Sequence, residues 1–579
     1  MPDRPKRRPG PPGLASLLKS YKGWIGLMVA LTVGSSGLGL FVPQVIAHAI
    51  DAFTARTLDL SLSLSELVAL SLGAFLFGNL QNVVQIIASE RVARDLRARL
   101  VEVISRQTYA AVEAMTPAKL LTNLTSDVDA IKNFVAQAVA SLISSVFVII
   151  AASALLLWLN WKLALAVLVV LPLIGVTFFV VLGGVRKMFG QMQGIIDVLN
   201  RVLNENIVGA ALVRLLDTQA REFVRFTAIN LEARTTSLKI LRQFAAMIPI
   251  ITLLANIATL IILTLGGHFV IVHEMSLGEF SAFNAYLGIL IFPIIIIGFT
   301  SMAIGQAQAS YLRISLVLNA PPPPARGDLT ATLTGAIEVR GLTLAYGERK
   351  VLDDVSFKIA PGTRTAIAGP TAAGKSQLLY AMTGLLAPTS GQVHYDGRPI
   401  DDYARDGLYA QIGFVFQDSQ LFNLTLRENI AFNAKVDEAQ LARAIDTADL
   451  HNFIAGLPQG LETIVSERGT SLSGGQKQRI MLARALALDP RILFLDDFTA
   501  RVDLATEARI LANVQRNYPH LTLISITQKL APVEGYDQII LLMEGEVLAM
   551  GTHAELAHTS PEYGQILRSQ QSTDAYEAA

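Results

Sequence analysis

The sequence predicts a two-part chain: a membrane α-helical domain of six spans with long cytoplasmic extensions, fused to an α/β domain with an antiparallel β subdomain. Three observations predict it. Apolar residues gather into six long runs in the first half and thin out afterwards, in a chain of 579 residues that is 52% hydrophobic and 16% charged. A proline run, NAPPPPARGD from Asn319, then breaks the chain. Beyond it, strand and helix patterns alternate, and GPTAAGKS, Gly369 to Ser376, stands between a strand pattern and a helix pattern. A chain this long exceeds one ordinary core, so at least two domains are expected.

Bulk charge is uninformative about partners, because Lys+Arg and Asp+Glu both number 47, and nothing in the balance points to nucleic acid. The absence of cysteine excludes disulfides, thiolate metal sites and cysteine nucleophiles. The start, MPDRPKRRPGPPG, is basic and proline-rich, with no short apolar core and cleavage site directly after it. It reads as a cytoplasmic tail and not as a cleaved signal.

A spanning helix needs about 20 mostly apolar residues. Six runs qualify: Trp24 to Ile46, Leu67 to Ala88, Phe134 to Leu157, Leu163 to Leu182, Met247 to Val270 and Leu277 to Phe299. The connections set orientation, because basic residues favour the cytoplasm. Arg4, Lys6, Arg7, Arg8, Lys19 and Lys22 precede the first run, Arg91, Arg94, Arg97, Arg99 and Arg106 follow the second, and Arg186, Lys187, Arg201, Arg214, Arg221 and Arg225 follow the fourth. The other connections are short and hold Asp51, Asp59, Glu66, Glu274 and Glu279. Both termini and the whole C-terminal half are therefore expected in the cytoplasm, with the spans in the inner (cytoplasmic) membrane.

The inside connections are long, and SERVARDLRARLVEVISRQ keeps helical spacing of its apolar positions. The membrane helices are expected to run on into the cytoplasm and present turns, around Val112 to Leu124 and Leu212 to Glu222, to the soluble domain. Within the spans, Gln44, His48, Asn79, Gln81, Asn82 and Gln85 either line a substrate path or bond between helices. His48 and His273 sit near span ends and read as interfacial. The expected division is 1–22 tail and interfacial segment, 23–318 membrane domain, 319–334 linker, 335–570 soluble domain and 571–579 tail.

GPTAAGKS matches G-x-x-x-x-G-K-[ST], with RTAIA before it as a strand and QLLYAMTGLL after it as a helix, the context this phosphate-binding loop requires. Backbone N–H groups of Gly369, Thr371, Ala372, Ala373 and Gly374 close around phosphates, Lys375 supplies charge to them, and Ser376 reaches magnesium with Gln377 beside it. ILFLD is read as the neighbouring strand, bringing Asp496 to the same metal and Asp497 to where a carboxylate polarises the attacking water. LSGGQKQR, Leu472 to Arg479, offers a serine hydroxyl and paired glycines at a helix start, a second phosphate grip.

With these motifs in this order, the chain resembles an ABC exporter half-transporter, six spans fused to a nucleotide-binding domain, from about residue 15 to 570. The resemblance implies ATP and Mg2+ as cofactors and ATP-driven export of hydrophobic drugs, lipids or peptides. It implies that Tyr346 stacks on adenine, that Gln417 senses the γ-phosphate and magnesium, that SERG from Ser466 lies near the coupling turns, and that Asp503 communicates across a dimer. It also implies two nucleotide domains sandwiching two ATP molecules, so that Ser473, Gly474, Gly475 and Gln476 serve the partner's site. The chain departs from the family at four places: Asp497 replaces glutamate, Gln528 replaces histidine, FTARVD replaces a sequence nearer ATSALD, and Ala372 replaces a glycine. Aspartate is one methylene shorter than glutamate, and misplacement by about 1 Å can cost on the order of a hundredfold in rate. Glutamine cannot carry the positive charge available to histidine. The expectation is a site that binds ATP well and turns it over slowly, in the degenerate-site subunit of a bacterial heterodimeric exporter whose partner half-transporter supplies glutamate and histidine. A homodimeric lipid flippase and an ATP-gated channel or regulator are the rival expectations.

Overall fold

The computed structural model describes residues 14–577 apart from 325, 419, 434, 466–471 and 499–501. The SERG segment and part of FTARVD therefore lie outside the described residues. The chain divides into two compact units, one ending at Arg106 and resuming over Met115–Pro321, the other made of Gln107–Ala114 and the residues from Pro322 onward.

Six apolar helices make the first unit: Lys22–Thr54, Leu60–Arg106, Pro117–Leu159, Trp161–Val208, Gln219–Ile271 and Leu277–Leu318. Their lengths, 33 to 53 residues, exceed what a bilayer core needs, so each runs beyond its apolar window. The apolar window of Leu60–Arg106 has none of its residues buried. A helix apolar on its outer side has lipid or another chain as its partner. The C-terminal end of the first span and the N-terminal end of the last are fastened together. The Asp51 carboxylate accepts hydrogen bonds from the Ser276 hydroxyl at 2.6 Å and the Gly278 N–H at 2.7 Å, which caps the last helix. Only glycine fits at 278, because a Cβ there would lie 2.1 Å from the Ala47 carbonyl oxygen. Tyr286 donates to the Leu40 carbonyl at 2.8 Å. Among the polar span residues, Gln85 donates across to the Ala136 carbonyl, Asn79 bonds back to Phe75 in its own helix at 2.9 Å, and Gln44 and His48 line a groove with Glu66.

The second unit holds two sheets. One is four-stranded and antiparallel, in the order β2-β1-β4-β5, with β1 Ile337–Tyr346, β2 Arg349–Ile359, β4 Ser390–Tyr395 and β5 Arg398–Pro399. The other has six strands in the order β10-β9-β3-β8-β7-β6, with β3 Arg364–Ala368, β6 Ile412–Val415, β7 Ile492–Asp496, β8 Thr522–Thr527, β9 Gln538–Met543 and β10 Glu546–Gly551. Its strands pair in parallel except at the β9–β10 edge. Every residue of β7 and β8 is buried, as expected of central parallel strands covered on both faces.

Two expectations are corrected here. ILFLD does not neighbour the strand before the phosphate loop, because β8 pairs with both β3 and β7. The strand ends stay level all the same: Ala368 pairs with Thr527 and Asp496 with Ile526, so Asp496 still reaches the loop. The segment grouped with the second unit is Gln107–Ala114, which starts before the expected Val112–Leu124 and overlaps it at Val112–Ala114, while Leu212–Glu222 belongs to the first unit. The short helix α1, Tyr109–Met115, ends early because Pro117 opens the next helix at its first position.

Candidate active site

The phosphate loop links β3 to α2, Lys375–Met382. Its turn depends on two glycines. A Cβ on Gly369 would lie 2.1 Å from the Leu542 carbonyl oxygen, and Gly374, at φ +94°, would press one to 2.8 Å from that of Val351. Ala372 has φ 65° without a glycine's freedom, a conformation that costs an L-residue roughly 1–2 kcal/mol. The cost explains why a glycine is the easier residue there.

The Lys375 ammonium is buried and donates to the Gly369 and Pro370 carbonyls at 2.8 and 2.7 Å, so it is drawn over the loop it serves. Burial lowers its pKa below the ordinary lysine range, against the opposing pull of Asp497 and Asp496. The Ser376 hydroxyl donates to Asp496 Oδ1 at 2.9 Å. Asp496 is 1% exposed, and burial raises its pKa above the usual carboxylate range, with the Ser376 hydrogen bond opposing and the charge of Asp497 adding to the rise. Its other oxygen, Oδ2, is buried with no hydrogen-bond partner among the described residues. A buried unpaired carboxylate oxygen beside a serine hydroxyl is a hard oxygen donor set that fits Mg2+. Ser376 and Asp496 would hold the ion, with Gln417 on the same cavity, and the ion when bound offsets the negative charge of the nucleotide phosphates.

A cavity of about 420 Å3 opens over this loop. Tyr346, Thr371, Ala372, Gly374, Lys375, Ser376, Gln377, Gln417, Asp496, Asp497 and Gln528 all line it. Gly369 and Ala373 do not, nor do Ser473, Gly474, Gly475 and Gln476. Tyr346 is 55% exposed at the rim, and its hydroxyl donates to Gln377 Oε1 at 2.9 Å. Asp497 takes φ 49°, a left-handed conformation aspartate tolerates better than most residues. Gln528 Oε1 accepts from the Thr371 hydroxyl at 3.2 Å, which ties the strand end after β8 to the phosphate loop.

Sequence reasoning missed Arg349, Val351 and Ile526. Arg349 was within reach of it: the tight turn after β1 pairs Tyr346 directly with Arg349, which places a second cation on the cavity. A further link is Gln478, buried in α3, Gly474–Leu486, whose side-chain amide donates to the Gln417 carbonyl at 3.2 Å. The helix that starts at the LSGGQ motif is thereby joined to a residue of this cavity. At the start of α3, Ser473 Oγ accepts from the Gln476 N–H at 3.2 Å and Gln476 Oε1 accepts from the Ser473 N–H at 2.8 Å, a reciprocal capping box.

Residues 25–294 match the ABC transporter transmembrane region, and residues 352–500 match the ABC transporter family. An ABC transporter ATP-binding protein of Bacillus subtilis is 32% identical, over 96% of this chain and 98% of its own length. A probable multidrug resistance ABC transporter ATP-binding/permease protein of the same organism is 28% identical, covering 96% and 97% of the two chains. An ATP-dependent lipid A-core flippase of Burkholderia orbicola is 29% identical, over 83% of this chain and 82% of its own. The structure of a bacterial Atm1-family ABC exporter with ATP bound shares the fold, with a TM-score of 0.76 at 24% identity over 96% of this chain and 99% of that one.

Proposed function

This chain belongs to the ABC transporter family, as an exporter half-transporter that couples ATP hydrolysis to transport, and we propose that it is the heterodimer subunit that carries the slow ATP site. One observation carries the proposal. The cavity keeps Lys375, Ser376 and Asp496, the groups that hold phosphate and metal, while the two positions that act on the attacking water are Asp497 and Gln528. Asp497 has the shorter reach of the two acidic side chains, and Gln528 bonds without charge. ATP held at Lys375 persists through several cycles. Ser473 to Gln476 complete the partner's site, where a glutamate and a histidine do the fast hydrolysis.

Transport runs by alternating access. ATP closes the paired nucleotide domains, the cavity of the spans opens outward to release its cargo, and hydrolysis resets it. Surfaces that a lone chain leaves open support a partner. Leu212, Leu215 and Leu216 are 59, 83 and 61% exposed, and Phe422, Phe432 and Ile464 are 49, 52 and 66% exposed. Apolar side chains grouped in this way mark interaction sites. The basic connections favour the inner membrane with both termini and the nucleotide domain inside. Cargo is a hydrophobic or amphipathic drug, lipid or peptide. A second reading, a homodimeric lipid flippase, draws on the relatives that bear the flippase name.

The test is exchange of labelled ATP at this chain's site, in the native complex and in the Asp497→Glu, Gln528→His double variant. Faster exchange in the double variant is expected. Equal rates would refute a site slowed by these two residues.

A further inference from the structure

A second cavity, of about 270 Å3, lies in the second unit away from the nucleotide cavity, with which it shares no residue. Arg326, Arg405, Gln392, Asp401 and Thr108 line it, along with Gly384. Arg326 is fixed from two sides. Its Nη2 donates to the Gly384 carbonyl at 2.9 Å, and its guanidinium lies over the Tyr409 ring at 5.7 Å. Gly384 takes φ +70°, and a Cβ there would meet Nη2 at 2.2 Å, so the glycine is what lets the guanidinium lie against the backbone. Nη1 of Arg326 is buried and has no acceptor among the described residues. Burying a charged donor with no acceptor is costly. Arg405 adds a second guanidinium, whose side chain makes no hydrogen bond or ion pair among the described residues. Asp401 is the one carboxylate on the wall, and it is exposed.

We propose that this cavity is a phosphate-binding site, filled by a phosphate or phosphomonoester group held between Arg326 and Arg405. The two guanidiniums outnumber the single carboxylate, and paired N–H forks suit a tetrahedral oxyanion. The volume is several times that of a water, enough to admit a phosphate group. The place gives the site a consequence. The chain crosses from the first unit into the second at Gln107 and again at Pro322. Thr108 and Ala110, from the first crossing, and Pro324 and Arg326, from the second, all line this cavity. An anion here fastens both crossing segments to β4 and β5 of the antiparallel sheet.

The test uses the purified transporter in nanodiscs of zwitterionic lipid, with Mg-ATPγS saturating the nucleotide sites. Inorganic phosphate is titrated by calorimetry. Wild type is expected to bind one further phosphate per copy of this chain, and Arg405→Gln to weaken that binding by about tenfold or more with ATPγS affinity unchanged. Arg405 holds nothing else in place, so this variant keeps the test open where Arg326→Gln disturbs folding. No phosphate binding beyond the nucleotide sites, or equal binding by wild type and Arg405→Gln, overturns the proposal and leaves a cavity filled by water. Phosphatidic acid added to the nanodisc separates two sources of the same group. Displacement of phosphate assigns the site to a lipid headgroup, and no displacement assigns it to the free ion.

Discussion

One cavity has two sides that have fared differently. On the loop side, from Gly369 to Gln377, each part is kept and constrained: two glycines that no other residue fits, a buried lysine and a serine bonded to Asp496. On the chemical side, against that loop, stand Asp497, short and left-handed, and Gln528, neutral and bonded to Thr371. Binding uses groups that act as point charges or backbone donors. Chemistry needs a carboxylate and a proton acceptor held to within about 1 Å. The second requirement fails with much smaller changes than the first, so a site can lose turnover while it keeps its nucleotide.

The largest effect that sharpens this contrast is on the loop side. Lys375→Ala should lower ATP affinity at this site by about a hundredfold, since it removes charge-assisted contacts worth roughly 1.5–3 kcal/mol each. Equilibrium binding of labelled ATP to the complex measures it, and an unchanged affinity would erase the distinction between the two sides. The next effect is on the other side. Asp497→Glu with Gln528→His should raise single-turnover hydrolysis at this site by roughly tenfold to a hundredfold, from the geometric and acid–base terms together, with ATP affinity nearly constant.

Much of this was legible in the residues. GPTAAGKS, ILFLDD and LSGGQ are local patterns whose chemistry sits within a few positions, and the alternating strand pattern beyond the proline run begins with β1, IEVRGLTLAY. Six apolar runs became six helices because lipid leaves a backbone few other choices. What failed was the order of strands. ILFLD lies beside β8, not β3, because strand order in a parallel sheet is decided by crossovers that no local pattern records. The segment Gln107–Ala114 starts several residues before the expected turn because helical periodicity continues through it, while the helix itself breaks at Gln107–Thr108 and again at Thr116, φ 64°, ahead of Pro117. Arg326 escaped notice altogether, since a lone arginine in a proline-rich linker reads as solvated until Gly384 and Tyr409 close on it.

A smaller effect probes the helix that follows the chemical side. Glu507, in α4, Leu504–Asn517, is 3% exposed with Oε1 unpartnered among the described residues, and burial raises its pKa to about 7, partly offset by Lys529. A carboxyl raised on folding contributes stability that is fully present below its unfolded pKa and is lost as pH rises to the folded value. Thermal stability of the nucleotide unit should therefore fall as pH rises from the ordinary carboxylate range to about 7, and level off above it. Glu507→Gln should flatten that slope and raise the melting temperature at pH 8 by roughly a few degrees, as scanning calorimetry of the complex would record. An unchanged slope would place the pH sensitivity elsewhere. The smallest effect is at Ala372, where glycine relieves the left-handed strain but adds unfolded-chain entropy. Ala372→Gly should stabilise the ATP-free unit by less than about 1 kcal/mol, and a loss of stability would mean that the turn is not strained.

The central claim, a slow site completed by a different subunit, is tested most directly by composition. This chain would be tagged, extracted gently from its native membrane, and the intact mass of the complex taken. The expected result is a second ABC half-transporter of different sequence, with glutamate and histidine where this chain has Asp497 and Gln528. Two copies of this chain and nothing else would contradict the account, and the doubled aspartate of ILFLDD would then belong to a slow homodimeric ATPase.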